Sequence, residues 1–127
     1  MADMNAIGIV VSDMERSKDF YRLLGLDLPD ADEDGHLGVN MPNGTRLMFD
    51  TEDLIRSFMP QWSRSNGNQV SLAFECAGPE EVDDIYTKVV EAGFKGEKEP
   101  WDAFWGQRYA LLVDPDDVQV NLYASLA

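Results

Sequence analysis

Ile7-Gly8-Ile9-Val10-Val11 is a short apolar run rich in β-branched residues, and it reads as a strand. Ser12-Asp13-Met14-Glu15 follows with the Ser-x-x-Glu spacing of a capping box. Met14, Phe20, Tyr21 and Leu24 then recur at helical spacing, and Gly25 stops the helix. The same order returns further along. Val70-Ser71-Leu72-Ala73-Phe74-Glu75 reads as a strand, and Gly78-Pro79 opens a helix with proline in its first turn. Val82, Ile85, Tyr86, Val89 and Val90 line one face of that helix, which Gly93 ends. Asp19-Phe20-Tyr21 matches Asp84-Ile85-Tyr86 at an offset of 65 residues (84 − 19), and the same offset carries Ala6 to Ser71, Ile7 to Leu72 and Ile9 to Phe74.

Turn residues and short strands follow each helix. A strand begins at His36; Met41-Pro42-Asn43-Gly44 then leads into Thr45-Arg46-Leu47-Met48-Phe49, and Asp114-Pro115-Asp116-Asp117 into Val118-Gln119-Val120-Asn121-Leu122. Both turns suit hairpins. Each half therefore reads β-α-β-β-β. The predicted class is α+β: one domain of two tandem βαβββ modules, with curved mixed sheets and an open cleft. Module 1 covers about 1–55, a linker about 56–67 and module 2 about 68–127. A sheet with a helix on one face leaves the other face bare, so two halves must associate, within or between chains, and a homodimer is expected.

Period-2 alternation sorts the faces. Ala6 and Gly8 fall on the open side of the first strand, with Ile7, Ile9 and Val11 on the helix side; Ser71 and Ala73 repeat the first set, Leu72 and Phe74 the second. Small residues there either leave room for a ligand or let two sheets pack tightly. The last strands add Arg46 and Met48 in one half, and Gln119, Asn121 and Tyr123 in the other. Mixed lining of this kind suits a small-molecule site.

Composition narrows the function. The 127 residues hold 24 acidic against 10 basic side chains, a net charge of −14, which argues against a nucleic-acid partner. A hydrophobic share of 44% argues against wholesale disorder. No apolar run is long enough for a membrane span, and Met1-Ala2-Asp3-Met4-Asn5 lacks the basic head of a signal peptide, so a cytoplasmic protein is expected. The single cysteine, Cys76, permits no internal disulfide and ends an apolar strand, where burial would leave it inert. The single histidine, His36, cannot supply a multi-histidine metal site, and a general-base role for it needs a partner that the sequence does not reveal.

Val11-Ser12-Asp13-Met14-Glu15-Arg16-Ser17 after a strand, followed by Phe20-Tyr21 and Leu24-Gly25-Leu26, resembles the opening of the vicinal oxygen chelate superfamily. Trp105-Gly106-Gln107-Arg108-Tyr109 and Asp114-Pro115-Asp116 resemble its second-half signature. That group holds glyoxalase I, extradiol dioxygenases, fosfomycin resistance enzymes and bleomycin resistance proteins. The resemblance implies a divalent metal held on the open faces by histidines or glutamates from the first and last strand of each repeat. Carried over, those positions are Ala6, Met48, Ser71 and Asn121. None supplies a carboxylate or imidazole, the donors on which hard cations depend. No metal, no cofactor and no catalytic residue are therefore expected.

The candidate ligand-binding residues are aromatic and polar. Trp101, Phe104 and Trp105, in the loop between the second helix and the Arg108 strand, form either a stacking wall, a satellite core or a dimer contact. Phe58 and Trp62 in the linker divide the same way. Arg108 suits a ligand carboxylate or an acidic neighbour; Tyr109 and Tyr123 can point a phenol into the cleft. With Arg46, Met48, Ser71 and Asn121 these complete the set. The acidic stretch Asp27, Asp30, Asp32, Glu33 and Asp34 is a solvated loop or an attractor of cations. The expected function is metal-free sequestration of an aromatic natural product, for which a positive charge is compatible with the acidic surplus, as in the bleomycin resistance branch. The rivals are a metal-dependent lyase, isomerase or dioxygenase with atypical ligands, a metal-free enzyme using Tyr, Arg or His36, and a pure interaction module.

Overall fold

The computed structural model describes residues 2–65 and 69–127. The chain divides into two compact units, Met1–Ser65 and Asn66–Ala127. The first contains β1 (Ala6–Val11), α1 (Met14–Leu23), β2 (His36–Asn40), β3 (Arg46–Thr51) and α2 (Glu52–Phe58). The second contains β4 (Ser71–Glu75), α3 (Pro79–Glu91), β5 (Lys95–Asp102), β6 (Gln107–Val113) and β7 (Gln119–Ser125).

In the first unit β3 lies between a parallel β1 and an antiparallel β2. Ile9, Val11, Leu37, Leu47 and Phe49 project to the buried side, where Tyr21 of α1 meets the Phe49 ring at 4.9 Å. The alternate residues stay half-buried or exposed on the other side, as alternation requires. The cap of α1 sits one residue later than the capping-box spacing suggests: Asp13, extended at φ −140°, accepts from the Arg16 N–H at 3.1 Å. A carboxylate at that place also faces the positive end of the helix dipole.

Among the described residues this unit carries three strands where four are expected. The residues 26–35, which would supply the missing one, are acidic, and the short alternation of Leu26, Asp27 and Leu28 is cut off by Pro29, which cannot donate to a ladder. They are held to α1 instead. Lys18 Nζ lies 3.0 Å from Asp30 and 3.3 Å from Glu15, and Arg22 donates to the Leu28 carbonyl at 3.2 Å. A second helix, α2, begins at the end of the expected module 1 and runs three residues into the expected linker; its N-cap, Thr51, accepts from the Leu54 N–H at 3.2 Å.

The second unit has the full β-α-β-β-β order. Its sheet runs β4-β7-β6-β5, with β4 parallel to β7 and the remaining pairs antiparallel. Leu72, Ala110, Leu112, Val120, Leu122 and Ala124 are buried, as are Val82 and Val89 of α3. Pro79 occupies the first turn of α3, and Gly93 takes φ +94° just after its end, a conformation that side chains resist. Between β6 and β7 the Asp114 carboxylate accepts from the N–H groups of Asp116 and Val118, fixing the hairpin that the turn residues predict.

Candidate functional site

Bulges in β5, between Gly96 and Lys98 and again between Lys98 and Trp101, bring Trp101 opposite Tyr109. Trp101 therefore stands on the sheet rather than in a loop, as its place in the sequence suggested. Phe104 and Trp105 occupy the tight turn that follows, closed by Gly106 at φ +91°. Tyr109 in turn faces Tyr123 across the β6–β7 ladder. Strand register and one turn thus gather five rings on the open side of the second sheet.

The rings touch in sequence. Phe104 meets Trp105 at 5.0 Å, and Trp105 meets Tyr109 at 5.3 Å and Trp101 at 6.1 Å, all near perpendicular. Trp101 meets Tyr109 at 5.6 Å, and Tyr109 stacks with Tyr123 at 6.2 Å. Edge-to-face pairs match a ring's positive rim to its neighbour's negative face, adding roughly 0.5–1.5 kcal/mol each beyond burial. Lys98 Nζ lies 3.9 Å above the Trp101 ring, a cation–π contact at one end of the row.

Polar groups fix the deep end. Gln119 donates to the Asn121 side-chain oxygen at 3.1 Å, and Asn121, only 7% exposed, donates to the Tyr109 hydroxyl oxygen at 3.0 Å. With its oxygen accepting from Asn121, the Tyr109 phenol keeps its own hydrogen for another acceptor. The Trp105 indole donates to Gln107 at 2.8 Å. At the shallow end Phe104 is 97% exposed and Trp105 48%. The wall therefore grades from a hydrogen-bonded floor to bare ring surface.

Arg108 stands apart from this wall. It neighbours Tyr109 in sequence and so points to the opposite, helix-covered side, where it bonds Asp83 of α3 at 2.9 Å and Asp102 at 3.1 Å. The Asp83 hydrogen bond, reinforced by that to Asp102, raises its pKa above the ordinary arginine value. Ser71 lies exposed on the edge strand β4, paired with Gln119. Phe58 is exposed at the end of α2, and Trp62 packs between the guanidinium groups of Arg56 and Arg64, 5.2 and 5.5 Å from its ring centre.

In the first unit Arg46 and Met48 share the open face with two residues outside the expected set. His36 Nδ1 lies 2.5 Å from Asp50 Oδ1, so the histidine has the partner that its position alone did not disclose. The signal was present in the hairpin: a turn at 41–45 that pairs Asn40 with Arg46 also pairs His36 with Asp50.

The four carried-over positions can be tested as metal donors. Ala6 has no donor atom and Met48 offers only a thioether, standing opposite Gly8. Ser71 offers an exposed hydroxyl, while the Asn121 amide is engaged on both sides, by Gln119 and by Tyr109. Neutral and soft donors of this kind do not fit a hard divalent cation. Among the described residues, no three of His, Cys, Asp and Glu converge on one point.

The model of the family described as Glyoxalase/Bleomycin resistance protein/Dioxygenase superfamily matches residues 3–122. Among solved structures, a glyoxalase/bleomycin resistance protein/dioxygenase family enzyme from Burkholderia phytofirmans is 21% identical, with a TM-score of 0.85 over 98% of this chain and 100% of its own. A hypothetical protein from S. aureus is 24% identical, with a TM-score of 0.80 over 98% and 94%. A lactoylglutathione lyase from Agrobacterium tumefaciens is 15% identical, with a TM-score of 0.69 over 98% and 94%. At these identities the likeness is one of fold. No curated protein matches the chain.

Proposed function

We propose that this chain, a member of the glyoxalase/bleomycin resistance protein/dioxygenase superfamily, captures a planar aromatic natural product against the rings of its second sheet, without a metal. The observation that carries the reading is bare aromatic surface continuous with a bonded interior. Phe104 and Trp105 present ring surface to solvent while Tyr109, two contacts inward, is anchored by Asn121. Solvated aromatic surface is costly for a protein to expose, and a flat ligand covers it with little ordering cost. The donor chemistry at Ala6, Met48, Ser71 and Asn121 supports the metal-free part.

Sequestration asks for affinity alone, and a nanomolar complex corresponds to about 12 kcal/mol. Burying about 300 Å² of apolar surface supplies roughly 7 kcal/mol at 25 cal/mol per Å². Stacking and the Tyr109 phenol add to that against the ordering costs of association. A net charge of −14 favours a cationic ligand through the long-range field. A homodimer with one ligand per chain completes the proposal.

Bleomycin-type, phenazine-type and quinone-type compounds serve as probes, read by tryptophan quenching and titration calorimetry. Trp105→Ala is expected to weaken binding about tenfold or more, as loss of a buried aromatic anchor does. Arg108→Met, on the far side of the sheet, is expected to leave affinity unchanged. Flat heats for all three classes would defeat the proposal, as would a stoichiometric divalent metal that confers turnover.

A further inference from the structure

The open face of the first sheet carries a cation that the aromatic wall does not use. The Arg46 guanidinium folds back along β2 onto Gly38, so closely that a methyl group at position 38 would overlap it. Glycine is what permits this posture. Arg46 Nη1 reaches the Asn40 side-chain oxygen at 3.3 Å, and among the described residues it forms no ion pair. That is unexpected in a chain with 24 acidic residues, whose other arginines include three, Arg56, Arg64 and Arg108, bonded to carboxylates.

Two residues along the same strand, about 7 Å away by strand rise, His36 faces Asp50 through Nδ1. The imidazole is one-third exposed, and its second nitrogen, Nε2, lies on the opposite side of the ring from the atom bound to Asp50. A carboxylate partner at Nδ1 selects the tautomer with hydrogen there, leaving the Nε2 lone pair as an acceptor. Between guanidinium and imidazole the floor is Gly38, Met48 and Gly8, which are in cross-strand register. A fixed cation, a hydrogen-bond acceptor and a low floor between them define a two-point site.

We propose that this face binds a small hydroxy acid, with its carboxylate on Arg46 and its hydroxyl donating to His36 Nε2. Asp50 is a positioning residue, which sets the ring and its tautomer and does not touch the ligand. The site rests on residues of the first unit and is independent of ligand capture by the second.

The chain has one histidine, so its ring nitrogens give one unambiguous set of long-range ¹H–¹⁵N signals. Titration of the labelled protein with 3-hydroxybutyrate is expected to move the His36 ring signals and the Arg46 side-chain N–H saturably, at millimolar ligand. Butyrate, which lacks the hydroxyl, is expected to move Arg46 alone and bind less tightly. Arg46→Gln is expected to cost about tenfold in affinity, the worth of one charged hydrogen bond. Gly38→Ala displaces the guanidinium and is expected to match it, with the His36 signals unchanged in the free protein. Asp50→Asn is expected to switch the free ring to the other tautomer. No saturable shift with 3-hydroxybutyrate overturns the site, and so does undiminished binding to Arg46→Gln. Tryptophan quenching by aromatic probes is read elsewhere in the chain, so the two readings fail separately.

Discussion

Ser17 is completely buried on α1, and its hydroxyl has no hydrogen-bond partner among the described residues. The repeat shows what the position wants: at the offset of 65 (82 − 17) stands Val82, also completely buried. Replacing Ser17 with alanine removes an unpaired oxygen whose desolvation costs about 1–3 kcal/mol. It also gains a few tenths of a kcal/mol in helix propensity. Against this stand a handful of lost dispersion contacts, each about 0.1–0.2 kcal/mol. The expected net stabilisation is about 1–2 kcal/mol. With a urea slope near 2 kcal/mol per M, the midpoint rises by about 0.5–1 M while the slope stays constant. Far-UV circular dichroism during urea titration reads it directly. Ser17→Thr, which keeps the hydroxyl and stiffens the side chain, serves as control and is not expected to stabilise. A Ser17→Ala midpoint equal to or below that of the parent would show that the hydroxyl has a partner, and would refute the reasoning.

Two further outcomes follow from charge. The Lys18 hydrogen bond holds the Asp30 carboxyl below its usual pKa, and that bond in return raises Lys18 above its own. The Asp30 contribution is therefore complete above the unfolded carboxylate range and disappears as pH falls through the lowered value; the Lys18 contribution is complete below the unfolded lysine value and disappears as pH rises through the raised one. Lys18→Met should make the acid and alkaline limbs of the stability–pH curve shallower, and limbs as steep as the parent's in that variant would contradict the clamp. Burial pushes the Cys76 thiol up to about 11. At pH 8 its thiolate fraction is then roughly two-hundredfold below that of a free cysteine. A chromogenic disulfide reagent should label the native protein slowly and the unfolded chain at once; labelling of both at the free-thiol rate would count against it.

Patterns with a strong period were legible in the sequence. The strands β1 and β4, the helices α1 and α3 and the hairpin into β7 all follow from apolar spacing and turn residues near the places read from them. What escaped notice was carried by other forces. The residues 26–35 hold to α1 by the Lys18–Asp30 ion pair and the Arg22 hydrogen bond to the Leu28 carbonyl, and no hydrophobic pattern reports a clamp. Trp101 was legible as an aromatic near two others, but its place on the sheet depends on two bulges. Arg108 and Tyr109 are adjacent and so fall on opposite faces, which period-2 reasoning could have separated once β6 was recognised. His36 and Asp50 are 14 residues apart and meet only through the register of β2 on β3.

The strand β5 reads Lys-Gly-Glu-Lys-Glu-Pro-Trp-Asp and forms the outer border of the four-stranded sheet. Alternating charge, a proline and broken register deny an incoming chain the flat, regular row of amides that cross-β growth requires. A version of β5 with valines at Glu97 and Glu99 would be easier to recognise as a strand, and would expose a border on which fibrils could start. The irregularity that conceals this element from a hydropathy reading also protects a protein rich in exposed aromatic surface from templating its own aggregation.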